Sequence, residues 1–250
     1  SMKRFEDKVA LVTGAGSGIG QATAKRLAAE GASVLCTDIN EATAQETVVQ
    51  IEANGGTAKA HGFDISDADS VAACVSACIS AFGKLDVVAN MAGILRFDLT
   101  HELEQNNWQR VIDVNLTGTF LLCKAVLPHL VEAKGNIVNA ASTAALAGIP
   151  YGSAYCASKG GVLAMTRAIA VEYAKQGVRA NCVCPGDIST NMTVDVGFPE
   201  GADYELMPRI SSITGPKGPE VVAGVIAMLA SADGAHITGE DIRMDGGTLS

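Results

Sequence analysis

The stretch Thr13–Gly20, with the sequence TGAGSGIG, decides the fold. It joins a short apolar run, Lys8–Thr13, to a helical pattern over Gly18–Glu30 in which apolar residues recur at helical spacing. A buried strand, a glycine-rich turn and a helix in this order are typical of the first unit of a doubly wound α/β sheet. The N-terminus of such a helix offers N–H groups and the positive end of its dipole to an anion. The stretch therefore predicts a phosphate-binding loop.

Short apolar runs and longer helical stretches alternate along the chain. Near-continuous apolar strands between helices are typical of a parallel sheet covered on both faces. We therefore predict one domain over 1–250, a Rossmann-like, doubly wound, seven-stranded parallel sheet with a curve or a break in its fourth helix near Pro128 and a substrate lid at about 187–219. The strands are predicted at Lys8–Thr13, Ser33–Thr37, Thr57–Phe63, Leu85–Asn90, Asn136–Ala141, Val178–Cys184 and Asp241–Met244, and the helices at Gly18–Glu30, Glu41–Ala53, Asp67–Phe82, Asn106–Glu132, Ala154–Lys175 and Glu220–Ala230.

Composition narrows the functional classes. The chain has 250 residues, a net charge of −9 and 48% hydrophobic residues, which excludes an intrinsically disordered protein. An acidic surface repels phosphate backbones and anionic lipid, so neither nucleic acid nor a membrane is expected as a partner. The seven cysteines form no C-x-x-C pair, and most lie in apolar runs. We therefore expect free thiols, a cytoplasmic protein and no metal site.

The glycines of the loop have separate expected roles. Gly14 permits a tight turn, and Gly20 allows close packing of the helix against the strand. Gly16 and Gly18 let the backbone approach a bound pyrophosphate. The spacing departs from G-x-G-x-x-G, because Ile19 stands at the third glycine position. The loop is informative because it lies between a strand and a helix.

An acidic residue ends the second strand. Asp38 stands where a carboxylate accepts hydrogen bonds from both ribose hydroxyls of adenosine and repels a 2′-phosphate. Ser17 and Ile39 supply no cation that would attract that phosphate. The pattern favours NAD over NADP. The alternative is that Asp38 caps the second helix, a role for which Asn40 is also available.

Polar residues end the other early strands as well. Asp64 ends the third strand, where it either accepts a hydrogen bond from the adenine amino group or serves as a cap or turn residue; Asp67 is the simpler helix cap. Asn90 ends the fourth strand. Because ligands of doubly wound sheets bind at the carboxyl ends of the strands, Thr13, Asp38, Asp64 and Asn90 are expected along one edge.

A tyrosine and a lysine are four residues apart in the predicted helix over 154–175. Tyr155 and Lys159 therefore share a face, and an ammonium group beside a phenol lowers the pKa of the phenol. Such a pair transfers protons near neutral pH. Ser142 closes the fifth strand at the same edge, where its hydroxyl can bond a substrate oxygen. The plainer alternatives are a surface pair and a strand-end cap.

In this order and spacing, the motifs resemble those of the single-domain short-chain dehydrogenases/reductases, and the resemblance covers essentially the whole chain. The motifs are TGxxxGxG at Thr13–Gly20, an NNAG-type element at Asn90–Gly93, Asn115 within Val-Asn-Leu, Ser142 followed by Tyr155-x-x-x-Lys159, and Pro185-Gly186 after the sixth strand. The resemblance implies an oxidoreductase with a nicotinamide cofactor.

The resemblance also implies a role for each matching residue. Tyr155 would be the acid/base, Lys159 would lower its pKa and hold the nicotinamide ribose, and Ser142 would orient the substrate oxygen. Asn115 would support a water-linked proton relay to Lys159. The implied cofactor contacts are Gly14, Gly16, Ser17, Gly18, Ile19, Gly20, Asp38, Ile39, Asp64, Ile65, Asn90, Ala92, Gly93, Tyr155, Lys159, Pro185, Gly186, Ile188 and Thr190.

The chain departs from the family pattern at two positions. Met91 replaces the second Asn of the NNAG-type element, which we expect to affect cofactor binding little because Asn90 is retained. Asp187 adds a charge after Pro185-Gly186, near the expected nicotinamide end. It either shapes substrate choice or faces solvent.

Three functions are compared. The first is an NAD(H)-dependent oxidoreductase that interconverts a secondary alcohol and a ketone, with the lid, Phe97 and Tyr151 walling a pocket for an apolar or cyclic substrate. The alternative is a 3-oxoacyl-[acyl-carrier-protein] reductase, against which Asp38 and the acidic charge argue. The second alternative is a non-catalytic NAD-binding sensor, which the complete catalytic set disfavours. The family resemblance also implies a homo-oligomer, with a tetramer favoured.

Overall fold

The structure, a computed structural model, describes residues 3–194 and 196–250. These residues form a seven-stranded sheet in the order β3-β2-β1-β4-β5-β6-β7, with every pairing parallel. The strands are β1 Val9–Thr13, β2 Ser33–Asp38, β3 Thr57–Gly62, β4 Val87–Asn90, β5 Asn136–Ala140, β6 Arg179–Pro185 and β7 Asp241–Met244. The helices are α1 Gly18–Ala29, α2 Glu41–Ala53, α3 Ala68–Phe82, α4 Gln105–Ile112, α5 Gly118–Ala133, α6 Ser153–Tyr173, α7 Asn191–Val194 and α8 Glu220–Ala230.

The sheet is buried on both faces, which is why its strands have no polar alternation. In β1, Ala10 and Val12 pack with α1, α2 and α8, whereas Val9 and Leu11 pack with α3, α5 and α6. All residues of β1 are buried. The predicted doubly wound, seven-stranded fold is confirmed, and most predicted bounds agree within two residues.

The fourth predicted helix, Asn106–Glu132, differs from the prediction. The irregularity is a π-helical turn at Asp113–Thr117 that separates α4 from α5, and α5 continues through Pro128. The expected break at Pro128 is therefore wrong. Pro128 lies on the exposed face of α5, where the carbonyl that loses its N–H partner can be hydrated. A π-turn inside a helix is frequently found at a functional site, and this one contains Asn115.

The continuous helical stretch Gln105–Ala133 is long and apolar enough to cross a membrane by length and composition alone. Half of its most apolar window is buried, and Leu122, Val126 and Leu130 lie in the core under the sheet. A core helix passes the same test of length and composition, and the packing of this stretch is that of a core helix.

The cysteines contribute to packing. All seven are free, and all except Cys156 are buried. Burial raises the pKa of Cys36, Cys74 and Cys78 to about 12, so these thiols stay protonated at neutral pH. Among the described residues, no three His, Cys, Asp or Glu side chains group as metal ligands.

The segment Asp187–Pro219 follows β6 and contains little regular structure. It holds the short helix α7 and a 3₁₀ turn at Tyr204–Arg209, and Ile188 forms a bridge with Lys217 between the two ends of the segment. The two ends of the predicted lid are therefore tied together at its base.

Candidate active site

A cleft of about 320 Å³ lies at the carboxyl edge of the sheet, above the phosphate loop. Met91 and Met192 lie in its wall, as do four residues for which the sequence predicts no cofactor contact: Phe63, Ile94 and Val114, which periodicity marks only as apolar, and Arg110, which it marks only as a helix charge. The predicted cofactor residues that line it are Gly14, Ser17, Gly18, Ile19, Gly20, Asp38, Ile39, Asp64, Ile65, Ala92, Gly93 and Thr190.

Four of the other predicted cofactor residues lie next to this wall rather than in it. Asn90 is buried under the phosphate loop. The N–H of Gly186 donates to Met244 O (2.9 Å), which joins the end of β6 to β7. With Pro185 ending β6 and Ile188 at the base of the lid, these three residues frame the far side of the edge.

The phosphate loop is held by side chains from two strands. The Thr13 hydroxyl donates to Asn90 Oδ1 (2.8 Å) and accepts from the N–H of Ala92 (2.9 Å). Gly14 has φ +62°, and a Cβ there would lie 3.1 Å from the Ala92 backbone, so another residue would be strained. The loop and the end of β4 therefore form one fixed wall of the cleft.

Asp38 bonds to the phosphate loop and does not cap α2. Its Oδ2 accepts from the N–H of Gly16 (3.0 Å), and its Oδ1 accepts from the N–H of Asn40 (3.0 Å). The cap of α2 is Asn40, which accepts from the N–H of Ala42. A Cβ at Gly16 would lie 2.1 Å from Thr43 Oγ1 and 2.9 Å from Asp38 Oδ2. No side chain therefore fits at position 16, a cationic one included. The charge at this end of the cleft is the carboxylate of Asp38.

Asp64 lies at the end of the cleft near Arg110. Its Oδ1 accepts from both the hydroxyl (2.6 Å) and the N–H (2.9 Å) of Ser66, and these bonds hold the pKa of Asp64 below its ordinary value. The cap of α3 is Asp67, which accepts from the N–H of Ser70 (2.7 Å). Asp64 is thus a turn residue whose carboxylate also lines the cleft.

The predicted proton-transfer residues meet at one point. The Tyr155 hydroxyl is hydrogen-bonded with Ser142, and Lys159 Nζ lies 5.7 Å from the centre of the Tyr155 ring. Ser142 also accepts from the N–H of Ala144 (3.1 Å) and begins a 3₁₀ turn, so it is both a cap and a neighbour of the phenol. Lys159 Nζ donates to Ala140 O (2.7 Å).

Burial shifts the pKa values of both groups toward their neutral forms. It raises the pKa of Tyr155 to about 12, partly offset by the bond with Ser142, and lowers the pKa of Lys159 to about 8. The expected lowering of the Tyr155 pKa by Lys159 does not appear, because the cost of desolvating the phenolate is the larger effect. At neutral pH these shifts keep the Tyr155 phenol protonated and bring the pKa of Lys159 closer to neutral.

Asn115 fastens the loop after β4. Its Oδ1 accepts from the N–H of Ile94 (2.8 Å), and its Nδ2 donates to Ile94 O (2.9 Å) and to the Ser158 hydroxyl (3.1 Å). A Cβ at Gly93 would lie 3.2 Å from Asn115 Oδ1 and 3.4 Å from Lys159 Nζ. The π-turn thus brings Asn115 against the same backbone that approaches Lys159.

An aromatic cluster of Phe97, Tyr151, Phe198 and Tyr204 joins the lid to the core. Phe97 and Phe198 are stacked with ring centroids 4.7 Å apart, and Tyr151 and Tyr204 meet Phe198 edge-on. Tyr151, at φ +64°, accepts from the N–H of Asp203 through its hydroxyl (2.7 Å) and from the N–H of Asp98 through its carbonyl (2.9 Å). Tyr151 therefore connects three segments, through its hydroxyl and its backbone carbonyl.

The two departures from the family pattern have structural explanations. Met91 packs in the same core cluster as Ala10 and Val12 and also lines the cleft, so it replaces a polar group by an apolar one in that wall. Asp187 Oδ2 accepts from the N–H of Ser212 (3.1 Å), and its carbonyl accepts from the N–H of Lys217 (3.3 Å). Asp187 therefore ties the start of the predicted lid to Ser212 and Lys217 in its last third.

Comparisons with known proteins agree with this geometry. The family model for short chain dehydrogenases matches residues 8–200. The chain belongs to the short-chain dehydrogenase/reductase family. It is therefore an oxidoreductase of a family that uses NAD or NADP.

Several relatives match the chain over nearly its whole length. It is 43% identical to a cyclohexanol dehydrogenase of Acinetobacter sp. (99% of this chain, 97% of the relative) and 41% identical to a 3-oxoacyl-[acyl-carrier-protein] reductase of Synechocystis sp. (99% of each). A crystal structure of a dehydrogenase/reductase from Sinorhizobium meliloti has a TM-score of 0.89 and 35% identity, covering 98% of this chain and 96% of that chain.

Proposed function

We propose that this protein is an NAD(H)-dependent oxidoreductase that interconverts a secondary alcohol and a ketone on an apolar or cyclic substrate, with Tyr155 as the acid/base. The observation that carries the proposal is the meeting of Ser142, Tyr155 and Lys159 at the carboxyl edge, beside a cleft that Asp38 closes at its other end.

The cleft has the donors and shape that a dinucleotide requires. Its floor is the glycine-rich N-terminus of α1, where exposed N–H groups favour a pyrophosphate. Asp38 supports NAD over NADP, because its carboxylate would accept from ribose hydroxyls and repel a 2′-phosphate. When bound, the nicotinamide accepts or supplies the hydride. Tyr155 and Lys159 would hold its ribose end.

The proton path uses this chain's own residues. A substrate oxygen placed between the hydroxyls of Ser142 and Tyr155 receives two hydrogen bonds, which fix its orientation. Tyr155 holds the transferable proton at its phenol oxygen, donating it during ketone reduction and taking it during alcohol oxidation. Lys159, whose pKa is about 8, exchanges its proton at neutral pH, and Asn115 fixes the loop opposite it.

The substrate class is proposed from the aromatic cluster. Phe97 and Phe198 present stacked rings beside the loop that leads into α6, and rings of this kind favour an uncharged, flat or cyclic body. The 43% identity to a cyclohexanol dehydrogenase supports the same class. A polar diol is a less fitting substrate, although the chain is also 39% identical to a meso-2,3-butanediol dehydrogenase of Serratia marcescens.

We also propose a single-domain, cytoplasmic homo-oligomer, with a tetramer as the favoured state. An open groove between α5 and α6 contains Leu127, Val131 and Met165, and Phe120 at its rim is half exposed. Val171 on α6 is 81% exposed. Apolar surface of this kind is typical of an association face. Light scattering should give a multimer that Val171→Glu reduces to a smaller species; a monomeric wild type would remove this proposal.

A carrier-protein reductase is the alternative, supported by the 41% identity to the Synechocystis enzyme. Asp38 opposes its preference for NADPH, and the net charge of −9 opposes docking of an acidic carrier. A non-catalytic NAD sensor is the second alternative, and it is disfavoured because Asn115, Ser142, Tyr155 and Lys159 are all placed together.

The first test is calorimetric titration with NADH and with NADPH, followed by turnover on cyclic secondary alcohols with NAD. We expect tighter binding of NADH and measurable oxidation of cyclohexanol-like substrates. Preference for NADPH together with reduction of a 3-oxoacyl thioester would establish the alternative. Binding of NADH without turnover across the panel would support the sensor.

A further inference from the structure

The strand β5 and the helix α6 are tied together at three successive places. Ser142, just after β5, meets Tyr155; Ala140 O accepts from Lys159 Nζ (2.7 Å); and Asn139 Nδ2 donates to the Thr166 hydroxyl (2.9 Å). The helix runs back along the strand, so the three contacts form a ladder. The first two rungs contain the proposed chemistry, whereas the third contains none.

The third rung is fully enclosed. Asn139 and Thr166 are at most 1% exposed. The Thr166 hydroxyl donates to Val162 O (2.7 Å), one turn earlier on α6. A buried amide costs stability unless it is bonded, so a core position filled by Asn instead of an apolar residue implies that its hydrogen bonds are used.

Asn139 also connects backward to the phosphate loop. Thr13, Asn90 and Asn139 are direct register partners on β1, β4 and β5. The Thr13 hydroxyl donates to Asn90 Oδ1 (2.8 Å), and Asn90 Nδ2 lies 3.4 Å from Asn139 Oδ1. All three side chains are at most 2% exposed. A buried polar row therefore crosses the sheet from the loop that contacts the cofactor cleft to the helix that holds Tyr155 and Lys159.

We propose that Asn139 is a positioning residue: through Thr166 it sets the placement of α6, and so of Tyr155 and Lys159, against Ser142 and the phosphate loop. The inference rests on the proposed function for its kinetic part. Thr166 lies seven residues after Lys159, two helical turns away, so loss of the rung shifts or tilts the stretch of α6 that contains the reacting groups. Displacements of this kind lower the rate of a step that depends on alignment more than they lower binding.

The principal variants are Thr166→Val, which removes the hydroxyl with little change of shape, and Thr166→Ser, which keeps it. Thr23→Val is the matched control, because Thr23 is equally buried on α1 and its hydroxyl has no partner among the described residues. We expect Thr166→Val to lower kcat by about ten- to a hundred-fold, with the Kd for NADH changed by less than about three-fold. Thr166→Ser and Thr23→Val should keep the wild-type kcat.

The pH profile separates positioning from plain loss of stability. A shift of α6 changes the burial of Tyr155 and Lys159, which sets both pKa values, so the pH profile of alcohol oxidation in Thr166→Val should move by about one pH unit. The double variant Asn139→Ala/Thr166→Val should have the same kcat as the less active of its two single variants, because both substitutions break the same bond between Asn139 and Thr166. A lower melting temperature with unchanged kcat and an unchanged pH profile would overturn the proposal.

Hydrogen exchange of the cofactor-free protein tests the rung independently of any reaction. In Thr166→Val, amides of Ala154–Lys159 should exchange at least about ten-fold faster while those of α1 keep their wild-type rates. Uniform acceleration would mean a global loss of stability and would contradict positioning. If Tyr155→Phe retained turnover, the proposed function would fail while the exchange result still decided the role of Asn139.

Discussion

Charged groups at the two ends of the sheet are held by different kinds of partner. At the amino end, Glu30 accepts from Arg4 (2.6 and 2.8 Å), and Asp86 lies between Lys8 (3.1 Å) and Lys84 (3.2 Å). At the carboxyl end, Asp38 and Lys159 bond to backbone groups, and among residues 3–194 and 196–250 neither forms an ion pair. Opposite charges largely cancel each other's electrostatic field, whereas neutral partners leave a charge able to attract or repel a ligand.

We therefore expect substitutions at the two ends to change different properties of the protein. A substitution at the amino end should change the free energy of unfolding and leave activity intact. A substitution at the carboxyl end should change activity or cofactor choice and leave stability unchanged or raised, because a charge without an opposite partner is costly to bury.

Tyr155→Phe gives the largest expected effect. It removes the phenol proton and keeps the ring, so kcat should fall by about 10³-fold or more while the Kd for NADH stays within about three-fold. Steady-state kinetics and calorimetry on the same preparation measure the two quantities. Tyr173→Phe, a second tyrosine on α6, is the control and should behave as wild type. Retained turnover in Tyr155→Phe would remove it as the acid/base.

Lys159→Met tests whether a carboxyl-end charge is destabilising. The pKa of Lys159 is about 8 in the folded state and 10.5 as the ordinary value, so the buried ammonium opposes folding fully below pH 8 and progressively less up to pH 10.5. The shift corresponds to about 3 kcal/mol, and the variant also loses the bond to Ala140 O, so Lys159→Met should raise the free energy of unfolding by about 2 kcal/mol at pH 7, and the gain should vanish near pH 10.5.

Turnover by Lys159→Met should fall by about 10²-fold or more, so that stability and activity move in opposite directions. Urea unfolding at pH 7 and at pH 10 measures the stability difference. A variant that is less stable than wild type at pH 7 would mean that the bond from Nζ to Ala140 O outweighs the cost of burial, which would contradict the comparison.

Asp38→Ala tests cofactor choice. Loss of the carboxylate removes acceptors for the ribose hydroxyls and the repulsion of a 2′-phosphate, so the ratio of NADPH to NADH dissociation constants should fall about 10- to 100-fold. Asn40→Ala is the control, since it removes the cap of α2 and should lower stability without changing that ratio. An unchanged ratio in Asp38→Ala would limit Asp38 to holding Gly16.

The sequence was informative where local spacing decides structure. Tyr155 and Lys159 meet because they are four apart in a helix, and the carboxyl-edge polar residues line up because parallel strands end together. The sequence was uninformative where contacts between distant segments, or the burial of a side chain, determine the structure or the pKa. Phe97 and Phe198 stack although about a hundred residues separate them, and the pKa of Tyr155 follows from desolvation by residues that no local pattern identifies.

The wrong prediction at Pro128 and the unpredicted π-turn have the same origin. Proline disfavours a helix interior in general, yet Pro128 is tolerated because its site on α5 faces water. The π-turn at Asp113–Thr117 has no comparable residue signal, because it depends on how Asn115 bonds to Ile94 across the site. Sequence alone left open which residue caps α2, and the structure gives that cap to Asn40.

Glu30→Gln tests the amino end. Arg4 and Arg26, which both donate to Glu30, hold its pKa below the ordinary value, so its stabilising effect is present above about pH 4.5 and is lost as pH falls through the folded-state pKa. Glu30→Gln should lower the free energy of unfolding by about 2 kcal/mol at pH 7 and should show a weaker loss of stability under acid. Thermal unfolding at pH 7 and pH 4 measures both, and kcat should stay at the wild-type value.

Tyr151→Phe gives the smallest expected effect and sharpens the comparison inside the carboxyl end itself. The substitution removes only the hydroxyl that accepts from the N–H of Asp203, and the ring stays against Phe198. Because this bond joins the lid to the core but touches no proposed reacting group, its loss should raise the KM of the alcohol about two- to five-fold and leave kcat and the Kd for NADH unchanged.

Tyr204→Phe is the matched control for Tyr151→Phe, since Tyr204 meets the same ring of Phe198 but is 68% exposed, and its hydroxyl forms no hydrogen bond among the described residues. It should keep the wild-type KM. Equal changes in the two variants would assign the effect to the aromatic cluster as a whole. A fall in kcat with Tyr151→Phe alone would instead mean that its hydroxyl helps to align Tyr155, four residues later on the chain. Activity would then depend on the lid as well as on the carboxyl end of the sheet.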